Sequence, residues 1–293
     1  VEDASTDNSL QVLKRYQEKE TRLKIIEHGV NKKLSIARST GMKASRGDYI
    51  MHVDSDDWLL PNAFENLYEK CVECDADVIV FNHVKENNNG KRVYINSVKK
   101  GLITSDKLKV QPHFFGAPWN KIVKRYLVEN MIFGQVGLNN TEDLLYASEI
   151  LLKAKRICLS PESYYTYFVN TDSLTNMVKS EQYIQNQIII LKQLQNIIYN
   201  NKTNLKLTYN ILNYFEKWIY LEFARIQFWN KEKLIYNETI VKELSRFAIM
   251  SKSRIRRLKL ALRFKYINLI EVSMRFGFLM SLGIIRRSLR NKL

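Results

Sequence analysis

Cysteine is scarce in this chain of 293 residues: Cys71, Cys74 and Cys158 are all it has. So small and odd a number argues against a disulfide framework and fits a reducing cytoplasm. Cys71 and Cys74 make a C-x-x-C, but a structural zinc needs two further ligands. Only Cys158 and four scattered histidines, His28, His52, His83 and His113, remain to supply them. Cys71 therefore reads as core and Cys74 as incidental. Proline stops at Pro161, and glycine is missing between Gly137 and Gly277. Long helices without interruption are the expectation there. No apolar run approaches the roughly 20 residues that span a bilayer, so the sequence does not read as an integral membrane protein.

Acidic residues are short too, and the shortage is local. The formal net charge is +16, and residues 241–293 carry 14 Lys and Arg against two Glu. A solvated helix surface usually mixes both signs, and this stretch barely does. It predicts an anionic partner. Beside the short apolar run Phe276 to Ile285, it reads best as peripheral attachment to an anionic membrane surface. With 45% hydrophobic residues, the chain can bury a sizeable core.

Short apolar runs alternate with amphipathic ones. Ser5 to Asn8 caps a helix carrying Leu10, Leu13 and Tyr16, Leu23 to Glu27 is a short strand, and Leu34 to Ala44 is a second helix. After Pro61, Phe64, Leu67 and Cys71 recur at helical spacing. Asp77 to Val84 is a further buried strand, which Asn87 to Gly90 turns back onto Arg92 to Ile95. Thr104-Ser105-Asp106 starts a short helix, Pro112 and Pro118 bracket a loop ending in Trp119-Asn120-Lys121, and Thr141-Glu142-Asp143 opens another helix. This rhythm predicts an α/β fold, a mostly parallel sheet flanked by helices with right-handed crossovers. Residues 1–175 would form that domain. Residues 176–293 would be a helical, basic region, with Leu191, Leu194, Ile197 and Ile198 on one apolar face and Tyr214, Trp218 and Leu221 on another.

One stretch breaks the pattern. The apolar run Tyr49 to Val53 ends abruptly in Asp54-Ser55-Asp56-Asp57. On an extended segment Asp54 and Asp56 would project to the same side at the strand's C-terminal end, where open α/β sheets bind ligands. Paired carboxylates there can hold a hard divalent cation, and through it a diphosphate. Taken alone, the stretch is more simply an acidic turn capping the next helix.

Four landmarks in order change that balance: Asp3 to Ser9, Asn31 to Gly41, Gly47-Asp48-Tyr49-Ile50 leading into Asp54-Ser55-Asp56-Asp57-Trp58, and Glu142-Asp143. Together they resemble the large inverting glycosyltransferase family two, of GT-A fold and bacterial surface-glycan or oligosaccharide type. The resemblance runs to about Asn82, resumes from Trp119 to Thr175, and stops there. Because the family opens with a strand and helix upstream of its Asp3 landmark, the first βα unit is expected to be missing from this chain.

The resemblance implies an enzyme moving a sugar from a nucleotide-diphosphate sugar to a glycan or lipid-linked acceptor with inversion. Asp143 matches the family's catalytic base, with Glu142 as its neighbour. Asp3 matches a position contacting the nucleotide base, and Arg38 a basic position near the donor. Asp54, Ser55 and Asp56 would meet the nucleotide sugar, with Asp56 and Asp54 holding Mn²⁺ or Mg²⁺. Trp119 and Asp57 would lie beside the acceptor, although core packing explains Trp119 as well. Tyr164 to Tyr167 with Ser173 to Thr175 resembles the segment closing over the diphosphate, or else a stacked aromatic strand followed by a helix cap. Lys33 stands where the family usually has Gly, Ser39 where it has Asn, and Asn170 where it has a basic residue. The expected location is cytoplasmic, on the inner face of the membrane, with no nucleic-acid partner. A nucleotidyltransferase on a related sheet would also want paired aspartates and a metal, but needs a glycine-rich phosphate loop. A basic nucleic-acid-binding protein would leave Asp54, Asp56 and Asp143 unexplained.

Overall fold

The structure, a computed structural model, describes residues 1–104, 117–131 and 142–169, with isolated helical positions between 186 and 197. These residues carry four helices, α1 (Ser9–Gln17), α2 (Leu34–Ala44), α3 (Ala63–Cys74) and α4 (Glu142–Lys153). Among them also run β1 (Tyr49–Met51), β2 (Trp58–Leu59), β3 (Val78–Asn87), β4 (Arg92–Ile95), β5 (Gly101–Thr104), β6 (Lys121–Lys124) and β7 (Arg156–Val169). The strands form one sheet in the order β1-β6-β3-β7-β2, with β4 added to β3 and β5 to β7. β6 runs against both β1 and β3, and β3 pairs with β7 in parallel, so β1, β3 and β7 point the same way. The expected α/β architecture is present. Direct parallel pairing is found at β3–β7 and at the Glu2–Glu27 bridge, which is all that remains of the strand expected at Leu23 to Glu27.

β3 is the spine of the core. Val78, Ile79, Val80 and Phe81 are buried on both faces of the sheet, as β-branched and aromatic residues favour. Asp77 fixes where its neighbour starts: Oδ2 accepts the Lys155 and Arg156 amides at 2.8 and 3.0 Å, and Oδ1 lies 3.3 Å from Lys124 Nζ. The β3–β7 register shifts around Asn82, which pairs with Ser163 and leaves unpaired Pro161, which has no amide to give the ladder. The buried Asn82 side chain takes up the slack, donating to Val98 O and Pro161 O and accepting from Val98 N. The Asn87 to Gly90 turn forms as expected, with Gly90 at φ +70°.

Two expectations change on contact with the structure. On α3 the inward stripe is Ala63, Leu67 and Cys71; Phe64 falls one residue off it and is exposed together with Tyr68 and Val72. β1 ends at Met51, not Val53, so the chain is already turning at Ser55-Asp56 and period-two alternation does not carry into the acidic stretch. Thr104 ends β5, and the helix expected to start at Thr104-Ser105-Asp106 lies outside the described residues.

Leu194 and Ile197, from the apolar face expected after residue 176, are buried. The other residues placed on the two apolar faces, the basic tail, Phe276 to Ile285, Asn170 and Ser173 to Thr175 lie outside the described residues. Among the described residues no helix is long and apolar enough to cross a membrane.

Candidate active site

Arg38, in the middle of α2, gathers three of the expected site residues. Its Nη2 donates to Asp54 Oδ1 at 2.8 Å, and its Nη1 to Asp143 Oδ1 at 2.8 Å and Glu142 Oε1 at 3.2 Å. α2 supplies the guanidinium, the segment after β1 supplies Asp54, and the first turn of α4 supplies both other carboxylates, where the helix dipole favours negative charge. Arg38 is 8% exposed and Glu142 3%, whereas Asp54 and Asp143 keep 27% and 32% of their side-chain surface. The pair facing solvent is thus Asp54 and Asp143.

Burial works against the Arg38 charge, but Asp143, Asp54 and Glu142 outweigh it and raise its pKa. Burial also lifts Glu142 well above the usual carboxylate range, helped by the charge of Asp143 and opposed by Arg38. Asp54 is raised by burial as well, against the pull of Arg38. Arg38 therefore meets two solvent-edge carboxylates and one buried carboxyl group held toward its neutral form.

Behind this cluster lies Lys121, the first residue of β6 and fully buried. Its Nζ donates to Ala117 O at 2.8 Å and Asn120 Oδ1 at 2.5 Å. Burial brings its pKa down to about 7, the charge of Asp143 opposing and that of Arg38 adding. His52 is pushed down to about 3 by burial, then by Arg38 and Lys121, and packs edge-on against Tyr146. Lys121 was not among the expected site residues; the signal available was a cation opening a strand whose next two residues, Ile122 and Val123, are apolar.

The acidic stretch divides by role. Asp57 Oδ2 accepts the Tyr165 hydroxyl at 2.7 Å and Oδ1 the Phe168 amide at 2.8 Å, and Tyr165 in turn accepts the Asp54 amide at 3.0 Å. Burial raises Asp57 to about 6 despite these bonds. Asp57, expected beside an acceptor, ties the turn to β7. Ser55 and Asp56 are exposed. Asp56 is the one carboxylate of the stretch that makes no hydrogen bond or ion pair among the described residues, and so is free to take a ligand.

Two other expected contacts are committed within the fold. Asp3 Oδ1 meets His28 Nδ1 at 2.6 Å and accepts the Lys32 amide at 2.9 Å, and its Oδ2 accepts the Lys33 amide at 2.9 Å. These bonds hold Lys33 at φ +77°, ψ 159°, a conformation that only glycine adopts cheaply. Trp119 is 8% exposed, stacks on Tyr165 and Tyr167, and meets His83 edge-on. The structure puts it in the aromatic core, with Tyr164 and Tyr165 of β7 beside it. Among the described residues, no group of three His, Cys, Asp or Glu side chains is arranged to hold a metal ion.

Residues 1–132 match the model of glycosyl transferase family 2. Over this segment the chain is similar to that family. Over 193 residues the chain is 31% identical to glycosyltransferase GlyA of Streptococcus pneumoniae, covering 60% of this chain and 27% of GlyA. It is 26% identical over 190 residues to the poly(ribitol-phosphate) beta-N-acetylglucosaminyltransferase TarP of Staphylococcus aureus, covering 64% of this chain and 57% of TarP. The chain thus spans between about a quarter and about half the length of these relatives. The crystal structure of residues 1–349 of S. aureus TarS in complex with UDP-GlcNAc superposes with a TM-score of 0.69 at 22% identity, over 94% of this chain and 81% of that one. The GT-A fold expected from the sequence is the fold this superposition shows. Asp54, Asp56, Glu142 and Asp143 stand on it at the end of β1 and the start of α4.

Proposed function

We propose that the chain transfers a sugar from a nucleotide-diphosphate donor to a glycan or lipid-linked acceptor, with inversion at the anomeric carbon. The observation that carries this reading is the Arg38 bridge, which sets Asp143 and Asp54 on the same guanidinium while leaving both at the solvent edge. Asp143 takes the proton of the attacking acceptor hydroxyl, a task for a carboxylate that solvent and substrate can reach. Glu142, buried and held toward its neutral form, positions Asp143 and leaves the proton transfer to it. Arg38 keeps Asp143 oriented and Asp54 in place beside the donor.

The donor set fits a hard divalent cation bound by few protein ligands. Asp56 is uncommitted and Asp54 is close in sequence, and Mg²⁺-type sites commonly use one or two carboxylates plus substrate phosphates. Mn²⁺ or Mg²⁺ held there supplies counter-charge to the leaving diphosphate. TarS binds UDP-GlcNAc and TarP is named for a poly(ribitol-phosphate) acceptor, so UDP-sugars and surface polymers of that kind are the first substrates to try. The basic stretch 241–293 brings the enzyme to an anionic membrane on its cytoplasmic side.

The test is a donor panel incubated with the full chain, with and without Mn²⁺, reading release of nucleoside diphosphate and the anomeric configuration of the product. Metal-dependent release with an inverted product supports the reading. Retention of configuration, or no release from any donor while an acceptor polymer is present, overturns it. Co-sedimentation with anionic and neutral vesicles over a salt series tests the membrane, and equal pelleting with both would remove the electrostatic attachment.

A further inference from the structure

Two cysteines 84 positions apart meet where the end of α3 packs on the start of β7. Cys74 closes α3, Cys158 is the third residue of β7, and their sulfurs are 3.0 Å apart. A disulfide bond is about 2.05 Å long, so about 1 Å of approach separates this pair from a covalent link. The backbones that carry them are already joined. Arg156 Nη2 donates to Cys74 O at 2.7 Å and Nη1 lies 3.4 Å from Asp75 Oδ2, which pins the end of α3 to the start of β7. Cys158 is held on its strand by Ile79 of β3 on one side and Leu102 of β5 on the other. Little has to move for the sulfurs to close except two side chains. Access is unequal, since Cys158 is buried and Cys74 only partly so. Cys71, one turn earlier on α3, is buried in the core cluster.

We propose that Cys74 and Cys158 form a reversible thiol-oxidation site whose oxidant is a low-molecular-weight disulfide. The Cys74 thiolate attacks one sulfur of the small disulfide, the S–S bond of that molecule breaks, and one small thiolate leaves with Cys74 now in a mixed disulfide. The Cys158 thiolate then attacks Cys74 Sγ and expels the second small thiolate. Two protein thiols are oxidised, one small disulfide is reduced to two thiols, and the two protons end on those thiols. Burial, and then the Cys74 sulfur beside it, pushes the Cys158 thiol up to about 12, with Lys70 favouring its thiolate and Glu73 opposing it. The link would clamp α3 to β7, the strand whose Tyr165 holds Asp54 and Asp57 seven residues further on.

The experiment treats the full, folded chain with oxidised glutathione and then with excess dithiothreitol, counting free thiols and mapping linked peptides by mass spectrometry. Free thiols should fall from three to one, one peptide pair should join Cys74 to Cys158, and dithiothreitol should restore all three. The oxidised protein should melt at a higher temperature than the reduced one, a rise absent from Cys74→Ser, where the substituted residue is only partly buried. Cys71→Ser should keep the link. A stable glutathione adduct at Cys74 without the link would overturn the proposal, as would a Cys71–Cys74 bond. So would a link formed no faster in native protein than in urea, because proximity in the fold would then contribute nothing.

Discussion

Arg38 and Asp143, 105 positions apart in the chain, are joined by a 2.8 Å hydrogen bond at the rim of the candidate active site. The same guanidinium holds Asp54 and the buried Glu142, so one side chain of α2 fixes the spacing between the acidic turn and the start of α4. Removing it by Arg38→Met leaves three carboxyl groups facing one another. Loss of one partner from a buried ion pair costs about 3–5 kcal/mol, and the lower end applies because Asp54 and Asp143 are partly exposed. Without the cation, which opposes the burial-driven rise of Asp54 and Glu142, these two groups titrate higher still, so the variant should regain stability relative to the parent as pH falls. Urea unfolding of both proteins at neutral and acidic pH measures this.

Asp143→Asn keeps the shape and the capping capacity but removes the basicity. Turnover should fall by roughly 10²- to 10⁴-fold, the usual contribution of a positioned acid or base, while donor affinity barely moves. Steady-state kinetics with nucleotide titration separates the two. Near-normal turnover would move the role to Glu142.

Asp56→Ala should abolish the metal dependence of donor binding and leave the fold intact, because the residue is exposed and makes no bond among the described residues. Calorimetric titration with nucleoside diphosphate and Mn²⁺ gives the answer. An unchanged affinity would return the acidic stretch to a purely structural turn.

Tyr165→Phe takes one hydroxyl from two partners, Asp57 Oδ2 and the Asp54 amide. Leaving such groups unsatisfied costs about 1–3 kcal/mol. Asp57 is raised to about 6 by burial in spite of the hydrogen bonds it accepts, and losing one of them should carry it higher. A raised carboxyl group contributes stability that is complete below its unfolded value and is lost as pH rises through its folded value, and in the variant this loss should occur at higher pH. Carboxyl-carbon NMR titration of Asp57 reads the shift directly.

Lys121→Met tests the buried amine. Its folded pKa is lowered to about 7, chiefly by burial, so its contribution to stability is complete above the ordinary lysine value and is lost as pH falls toward about 7. The parent should gain stability with rising pH across that window and the variant should not. Urea midpoints over the alkaline range compare the two slopes.

Local pattern determined a good deal by itself. The α2 and α3 helices, the β3 strand, the Asn87 to Gly90 turn and the acidic break after β1 all follow from residue type and spacing, which act over a few neighbours and are written consecutively. Which residues would meet was another matter. Asp54, Asp143 and Arg38 were each singled out in sequence, yet their common bridge, the stacking of Trp119 on Tyr165 and the pairing of Cys74 with Cys158 arise from contacts 16 to 105 positions apart. The roles of Asp57 and Lys121 also depended on the tertiary structure. A carboxylate or an amine has the same letter whether it faces solvent or not, and only burial and the partners brought by other elements decide whether it binds a ligand, holds a strand or gives up its charge.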